Sequence, residues 1–505
     1  MSVSEPRPTP PQPPEGRPTT TARPGRFDPR SQDRSVIAIP LLEQIRDATA
    51  HGDTTPIPVV IDLNLDYSLG RQAALEAALK LLLEAADRHG EAGVAQGTQD
   101  PAAGGPYLLA RLQPAVITAV TRANIALDRP IFRIWPDFEV HALLDKSIST
   151  VKADAAHAAY AAVGNGICWA VLDTGVQADH PHFHEYMNLS TAGLPHLDFT
   201  GAGGRADIDV NGHGTHVAGI IAGHGKGTKR SPLVAVRMLR DEDGEVSGEA
   251  GRLTTISGIA PKCSIVSFKV LDDNGVGGTG AILTALDKIQ EINDHGRRLR
   301  IHGINLSLGY NFNPKWFACG QSPLCVEVDR MVRSGVVVVI AAGNTGYAWA
   351  QDALTERDQA AGRALTINDP GNAALGITVG STHRDSPHVY GVAYFSSKGP
   401  TGDGRAKPDL VAPGERILSA AAGAKAEEGK RLIGQDVGYV EDSGTSMAAP
   451  HVSGVIASFL SIRREFIGRP EQVKDIFTST ATDLGRVADF QGHGLIDAMR
   501  AIQSV

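Results

Sequence analysis

The sequence predicts an α/β protein: a mainly parallel β-sheet between layers of helices, preceded by a small α/β module. Two observations carry this. From about residue 151 the chain shows short, unalternating apolar runs, "ICWAVLD", "SIVSFKVL", "INLSLG" and "VVVVIAAGN", separated by helical segments. Strands read this way when both faces are buried, which is the condition of a parallel sheet covered by helices. Before residue 151 the pattern is instead strand, amphipathic helix, then two more strand-like runs, which suits a small antiparallel sheet.

The chain has 505 residues, four cysteines and a formal charge of −8. That length accommodates one large core or two to three smaller ones. The acidic balance, with no basic stripe, argues against nucleic acid as a partner. The longest unbroken apolar stretch, "VVVVIAA" (336–342), is far below the roughly 20 residues that span a bilayer, so no membrane partner is expected.

Residues 1–35 are rich in Pro, Thr and Arg and read as a solvated tail. This tail lacks the apolar run of a secretory signal, so a cytoplasmic location is the expectation, with secretion by another route left open. Residues 36–150 form the small module. "PVVIDLN" (58–64) is a strand, and Leu75, Leu79 and Leu82 fall at helical spacing, with Gly90 as a stop. "AVITAV" (115–120) and "IFRIW" (131–135) read as two further strands, and the Gly/Ala/Pro-rich stretch 92–106 as a loop.

Residues 151–505 carry the chemistry. Ligands of parallel sheets gather at the carboxyl ends of strands, so the polar residues that end the apolar runs stand out: Asp173, Ser307 and Asn344. Asp173, taken alone, could cap a helix, hold a metal or act in catalysis. His213 and His216, in "NGHGTHVAG", are three apart, which is not the zinc-binding HExxH spacing. Ser446 opens a helix of small residues in "GTSMAAPHVSG", and Pro450 is tolerable near its first turn. A serine hydroxyl becomes a nucleophile only beside an imidazole, and the imidazole needs a carboxylate to fix its tautomer.

The order Asp, His, Ser is that of the subtilisin-like arrangement. "AVLDTGV", "NGHGTHVAG", "AAGN" and "GTSMAAPHVSG" resemble the aspartate, histidine, oxyanion-asparagine and serine motifs of the subtilisin-like serine peptidase family. "GIAPKCSIVSFKVLDDNGVG", "INLSLG", "FSSKGPTGDGRAKPDLVAPG" and "GHGLIDA" extend the similarity from about residue 160 to the C-terminus. The resemblance implies a subtilisin-like three-layer fold and a serine endopeptidase working through an acyl-enzyme. It implies Ser446 as nucleophile, His213 as general base and acid, Asp173 as orienting carboxylate and Asn344 as oxyanion donor. Gly275, Val276 and Gly277 on one side, and Ser307, Leu308 and Gly309 on the other, would pair with the main chain of an extended polypeptide substrate. The primary specificity pocket is expected to be large and apolar or mixed. His216 and His451 are expected to pack rather than react.

The chemistry needs no cofactor. Many family members hold structural calcium through an aspartate in "HPDL", where this chain has "HPHF" with His182; calcium therefore stays unassigned, as does any metal on His180, His182 and His184. The insertion at 223–257, with Asp241, Glu242, Asp243 and Glu245, reads as a solvated loop, and a second insertion follows Asn344 at the rim of the site. "IFRIWPDFEVHALL" loosely resembles the end of the family's inhibitory prodomain, so the module could act as an intramolecular inhibitor, cleaved between His141 and Thr150. Cys319 and Cys325 are near enough in the chain to bridge, and the sequence leaves paired and free open. A transpeptidase or macrocyclase, or a non-catalytic peptide-binding relative, would carry the same motifs.

Overall fold

The computed structural model describes residues 36–37, 39–64, 66–90, 107–124, 128–136, 147–190, 192–201, 203–240, 246–312, 318–351 and 358–505. The chain divides into two compact units at His141/Ala142, nine residues before the expected boundary. The helix Ser147–Thr150 belongs to the second unit because the Ser147 hydroxyl donates to His451 Nε2 at 2.8 Å.

The first unit is a three-stranded antiparallel sheet with Ile57–Leu63 in the centre, between Tyr107–Leu112 and Ile131–Pro136. Its own core gathers Val59, Ile61, Leu82, Leu112 and Ile134. Helix Arg71–Arg88 forms where the leucine spacing placed it. "AVITAV" departs from expectation: Pro114–Ala123 is a helix, which buries Val116, Ile117 and Val120 on one face. Thr118 and Thr121 turn their hydroxyls back to the carbonyls four residues earlier, satisfying them within the helix. The strand taken from that run is instead Tyr107–Leu112. The tail 1–35, the stretch 92–106, the acidic group Asp241–Glu245 and most of the expected cleavage segment lie outside the described residues.

The second unit is built on seven strands, all neighbours parallel. Their order is Leu410–Glu415, Ile377–His383, Val337–Ala341, Gly303–Leu306, Cys168–Asp173, Ser264–Lys269 and Leu197–Asp198. The unalternating runs have a direct cause. Trp169, Val171, Val337 and Val339 bury on the face covered by helix Thr445–Ile462, while Ala170, Leu172, Val338 and Ile340 bury on the face covered by Thr279–Ile292 and Pro323–Arg333. Helix Thr445–Ile462 is long and apolar enough to cross a bilayer, yet most of it is buried against this sheet.

The first insertion is not a solvated loop. Leu233–Arg240 and Val246–Leu253 pair antiparallel over eight residues, and the first of them also pairs in parallel with Tyr439–Asp442. Ala235 and Leu253 thereby bury against Leu418, Ala420 and Tyr439, a contact that a local reading of composition cannot show. The second insertion folds as a hairpin of Tyr347–Gln351 and Asp358–Gly362. Cys319 and Cys325 are both free; Cys325 Sγ is buried and turned toward the Pro370 carbonyl at 3.7 Å.

Candidate active site

Asp173 ends its strand, Ser307 follows the next strand, and Asn344 follows the one after, and these three strands are neighbours in the sheet. Parallel orientation sends all three carboxyl ends to one rim, which is why residues 171 positions apart converge.

His213 starts the helix His213–Ile221. The helix reaches the rim because of its glycines: a Cβ on Gly214 would stand 2.1 Å from the Gly175 carbonyl, and Gly212 holds φ +94°. His213 Nδ1 lies 2.7 Å from Asp173 Oδ1. A carboxylate only accepts, so Nδ1 carries the proton and Nε2 is left with a lone pair. Asp173 is 1% exposed, and its Oδ1 also accepts the Thr174 N–H at 2.8 Å. Burial pulls the His213 pKa down, but the charge and hydrogen bond of Asp173 outweigh it and hold the imidazole above its ordinary value.

A second buried carboxylate, Asp209, was missed in the sequence. Its Oδ1 accepts from the Thr174 hydroxyl and the Gly212 N–H, both at 2.8 Å; its Oδ2 accepts from the Thr215 N–H at 2.8 Å and the Thr215 hydroxyl at 2.7 Å. The Thr174 hydroxyl in turn accepts the Gly214 N–H at 3.0 Å. Asp209 thus ties the strand carrying Asp173 to the helix carrying His213. The available signal was an aspartate four residues before His213 and a threonine two residues after it.

Ser446 lies in the first turn of helix Thr445–Ile462, where backbone N–H groups have no intrahelical partner. Pro450 has no N–H to offer the Ser446 carbonyl one turn back. The Ser307 hydroxyl fills that role, donating to Ser446 O at 2.8 Å, and the Ser446 hydroxyl donates back to Ser307 O at 3.1 Å. Among the described residues no hydrogen bond joins Ser446 Oγ to His213; the hydroxyl rests on Ser307.

Asn344 is oriented by its neighbour. Its Oδ1 accepts from the Thr445 N–H at 2.9 Å and the Thr445 hydroxyl at 3.1 Å, and a backbone N–H can only donate, so the amide orientation is unambiguous. The Nδ2 group is therefore presented on the opposite side. Thr445, also missed in the sequence, is the residue that sets this.

One cavity of about 450 Å³ has His213 on its wall together with all six residues named for main-chain pairing: Gly275, Val276, Gly277, Ser307, Leu308 and Gly309. Leu271, Val276, Ile282 and Tyr310 make much of that wall apolar.

The other histidines are occupied. His216 donates from Nε2 to the Val440 carbonyl at 3.0 Å, and burial drives its pKa down to about 4. His451 spans Met447 O and the Ser147 hydroxyl, at 2.7 and 2.8 Å, and burial takes it to about 4 as well. His182 is 1% exposed, lowered to about 3 by burial, with Nε2 3.1 Å from the carbonyls of both Gly219 and Ala222. That nitrogen donates, so the position does not fit calcium, which needs oxygen ligands there.

Residues 164–494 match the model of the Subtilase family, Peptidase_S8. The chain is 28% identical over 391 residues to the serine protease AprX of Bacillus subtilis, covering 74% of each. It is 30% identical over 356 residues to subtilisin E of Bacillus subtilis, covering 70% of each. To pyrolysin of Pyrococcus furiosus it is 31% identical over 384 residues, 67% of this chain but 25% of the relative.

Proposed function

This chain belongs to the subtilase family and is a serine endopeptidase, and on that premise we propose how its residues cleave a peptide bond. Ser446 turns about χ1 from the Ser307 carbonyl toward His213. His213 Nε2 takes the hydroxyl proton as Oγ bonds to the substrate carbonyl carbon. The charge that develops on the carbonyl oxygen meets Asn344 Nδ2 and the Ser446 N–H. His213 then returns its proton to the leaving amine, the C–N bond breaks, and an acyl-enzyme remains. A water, deprotonated by the same imidazole, releases the acid and restores Ser446. Asp173 keeps the ring in the required tautomer throughout and stabilises the imidazolium.

The observation that carries this reading is the 2.7 Å contact between buried Asp173 and His213. Hydrogen bonds to catalytic nucleophiles are often loose in free enzymes, so the resting position of Ser446 is compatible with it. A fluorophosphonate probe should label the wild type and leave Ser446→Ala unlabelled. Equal labelling of both would overturn the assignment.

Substrates, on this reading, are extended polypeptide segments paired through Gly275–Gly277 and Ser307–Gly309, with no cofactor. The first unit serves as an inhibitory prodomain, a role supported by its separate core and by the division at His141/Ala142. A Ser446→Ala protein that migrates at the wild-type mature size would remove self-processing. Four free cysteines favour a reducing compartment, consistent with the cytoplasm.

A further inference from the structure

The helix Gly423–Ile433 lies between the strands Ile417–Ala420 and Tyr439–Asp442, and the mechanism above does not use it. Its start is fastened to the segment just before His213. The Ala424 N–H donates to Val210 O at 2.8 Å, and the Lys425 N–H to Asn211 O at 3.4 Å. The packing there is close: a Cβ on Gly212 would stand 3.1 Å from the Lys425 Cβ and 2.2 Å from the Ala422 carbonyl. Lys425 is therefore held beside the base by backbone contacts rather than by its own flexible stem.

The Lys425 ammonium forms an ion pair with Asp442 Oδ2, and both side chains are about a quarter exposed, at 23% and 28%. Asp442 is itself fixed, because its Oδ1 accepts the Ser443 N–H at 2.7 Å. It stands four residues before Ser446. The pair thus spans the segments that carry His213 and Ser446, and it aims the ammonium rather than burying it. An ammonium has three N–H donors, and Asp442 Oδ2 engages one.

Lys425 lines the same 450 Å³ cavity as Asn211, His213 and the two main-chain pairing segments. Among the described residues its other wall members are apolar, glycine, hydroxyl or amide, apart from His213, so of these Lys425 alone brings a permanent charge to that wall. A groove that binds peptide main chain and carries one cation beside the base discriminates by side-chain charge.

We propose that Lys425, aimed by Asp442, selects polypeptides bearing a carboxylate side chain next to the scissile bond. This rests on the groove and triad reading above. The substrate carboxylate shares the ammonium with Asp442, and a cationic side chain at the same place meets Lys425 as a like charge.

The test uses the full-length protein and peptides matched in pairs, Glu against Gln. The pair is placed in turn at each of the two positions on either side of the cleaved bond. Wild type should favour Glu at one of these positions by about fivefold in kcat/KM, the size expected of a partly exposed ion pair, and added salt should shrink the ratio. Lys425→Gln should bring the Glu/Gln ratio to one. Lys425→Glu should invert the Glu/Gln ratio in favour of Gln at the same position. Asp442→Asn, which leaves the ammonium without its internal partner, should widen the Glu preference. Each ratio is taken within one variant, so a general loss of activity does not mimic the effect. Cleavage of the Gln peptides with the same Glu/Gln ratio in wild type and Lys425→Gln would overturn this proposal while the triad stands. Failure of wild type to cleave any of the peptides would bring down the triad reading and this one together.

Discussion

The two halves of the active site are held by different chemistry. The Asp173–His213 half rests on two buried carboxylates, Asp173 and Asp209, each 1% exposed, with charge-assisted hydrogen bonds reaching the strand end and the helix start. The Ser446–Asn344 half is held by neutral bonds among Ser307, Ser446, Thr445 and Asn344. Charged bonds of this kind are about twice as strong as neutral ones, and a buried charge left without partners is costly. On the proposed mechanism, His213 is therefore rigidly assembled as the base before substrate arrives, while Ser446, as the nucleophile, can leave its resting carbonyl for a neutral bond's worth of energy. Rigidity belongs where the tautomer matters, and freedom where a bond must form.

The sharpest way to break the charged half is Asp173→Asn. Loss of the orienting carboxylate should lower kcat by about 10⁴-fold, the size known for this change in a triad. It should also move the pH profile. Asp173 raises the His213 pKa, and the base works only when neutral, so wild-type activity should rise with pH through a value above about 6.5. Without the carboxylate that limb should shift to lower pH. A residual profile with an unmoved acid limb would show that Asp173 does not set the titration.

Asp209→Asn tests whether rigidity alone matters, since Asp209 does not touch His213. An amide accepts at one oxygen and presents N–H to donors at the other position, leaving Thr215 or Gly212 unpaired. We expect about 1–3 kcal/mol lower stability by denaturant titration. Because the helix start loosens, kcat should fall by about tenfold. An unchanged kcat in a destabilised protein would make Asp209 a folding residue only.

The smallest effect is expected in the neutral half. Ser307→Ala leaves the Ser446 carbonyl without a donor, because Pro450 cannot supply one, and should cost about 1–2 kcal/mol. Pro450→Ala restores the missing N–H, so the double variant should be more stable than the sum of the two single changes. Simple additivity in that double-mutant cycle would disconnect Ser307 from the proline.

Asp173, His213, Asn344 and Ser446 could be named as candidates from the sequence because each stands in a short motif whose chemistry is local: a strand end, a helix start, a Gly-flanked turn. Asp209 and Thr445 could not, since their role is to bond to groups elsewhere in the fold. The insertion 223–257 misled for the same reason. Its strand Leu233–Arg240 pairs with Tyr439–Asp442, about two hundred residues away, and no composition within the segment records that partner. "AVITAV" misled in the opposite sense: β-branched residues favour strands, yet Val116, Ile117 and Val120 lie on one helical face against a core that the short run does not reveal.

The parallel sheet was legible in the residues alone, through apolar runs that tolerate no exposed face, and so were the candidates for the reacting groups, through their local motifs. How those groups are held emerges only from the folded chain: which carbonyl Ser446 rests on, which carboxylate braces the histidine helix, and which lysine faces the groove. The physical reason is that residue type and spacing act over a few residues, whereas hydrogen bonds and ion pairs between distant segments exist only once the strands have aligned.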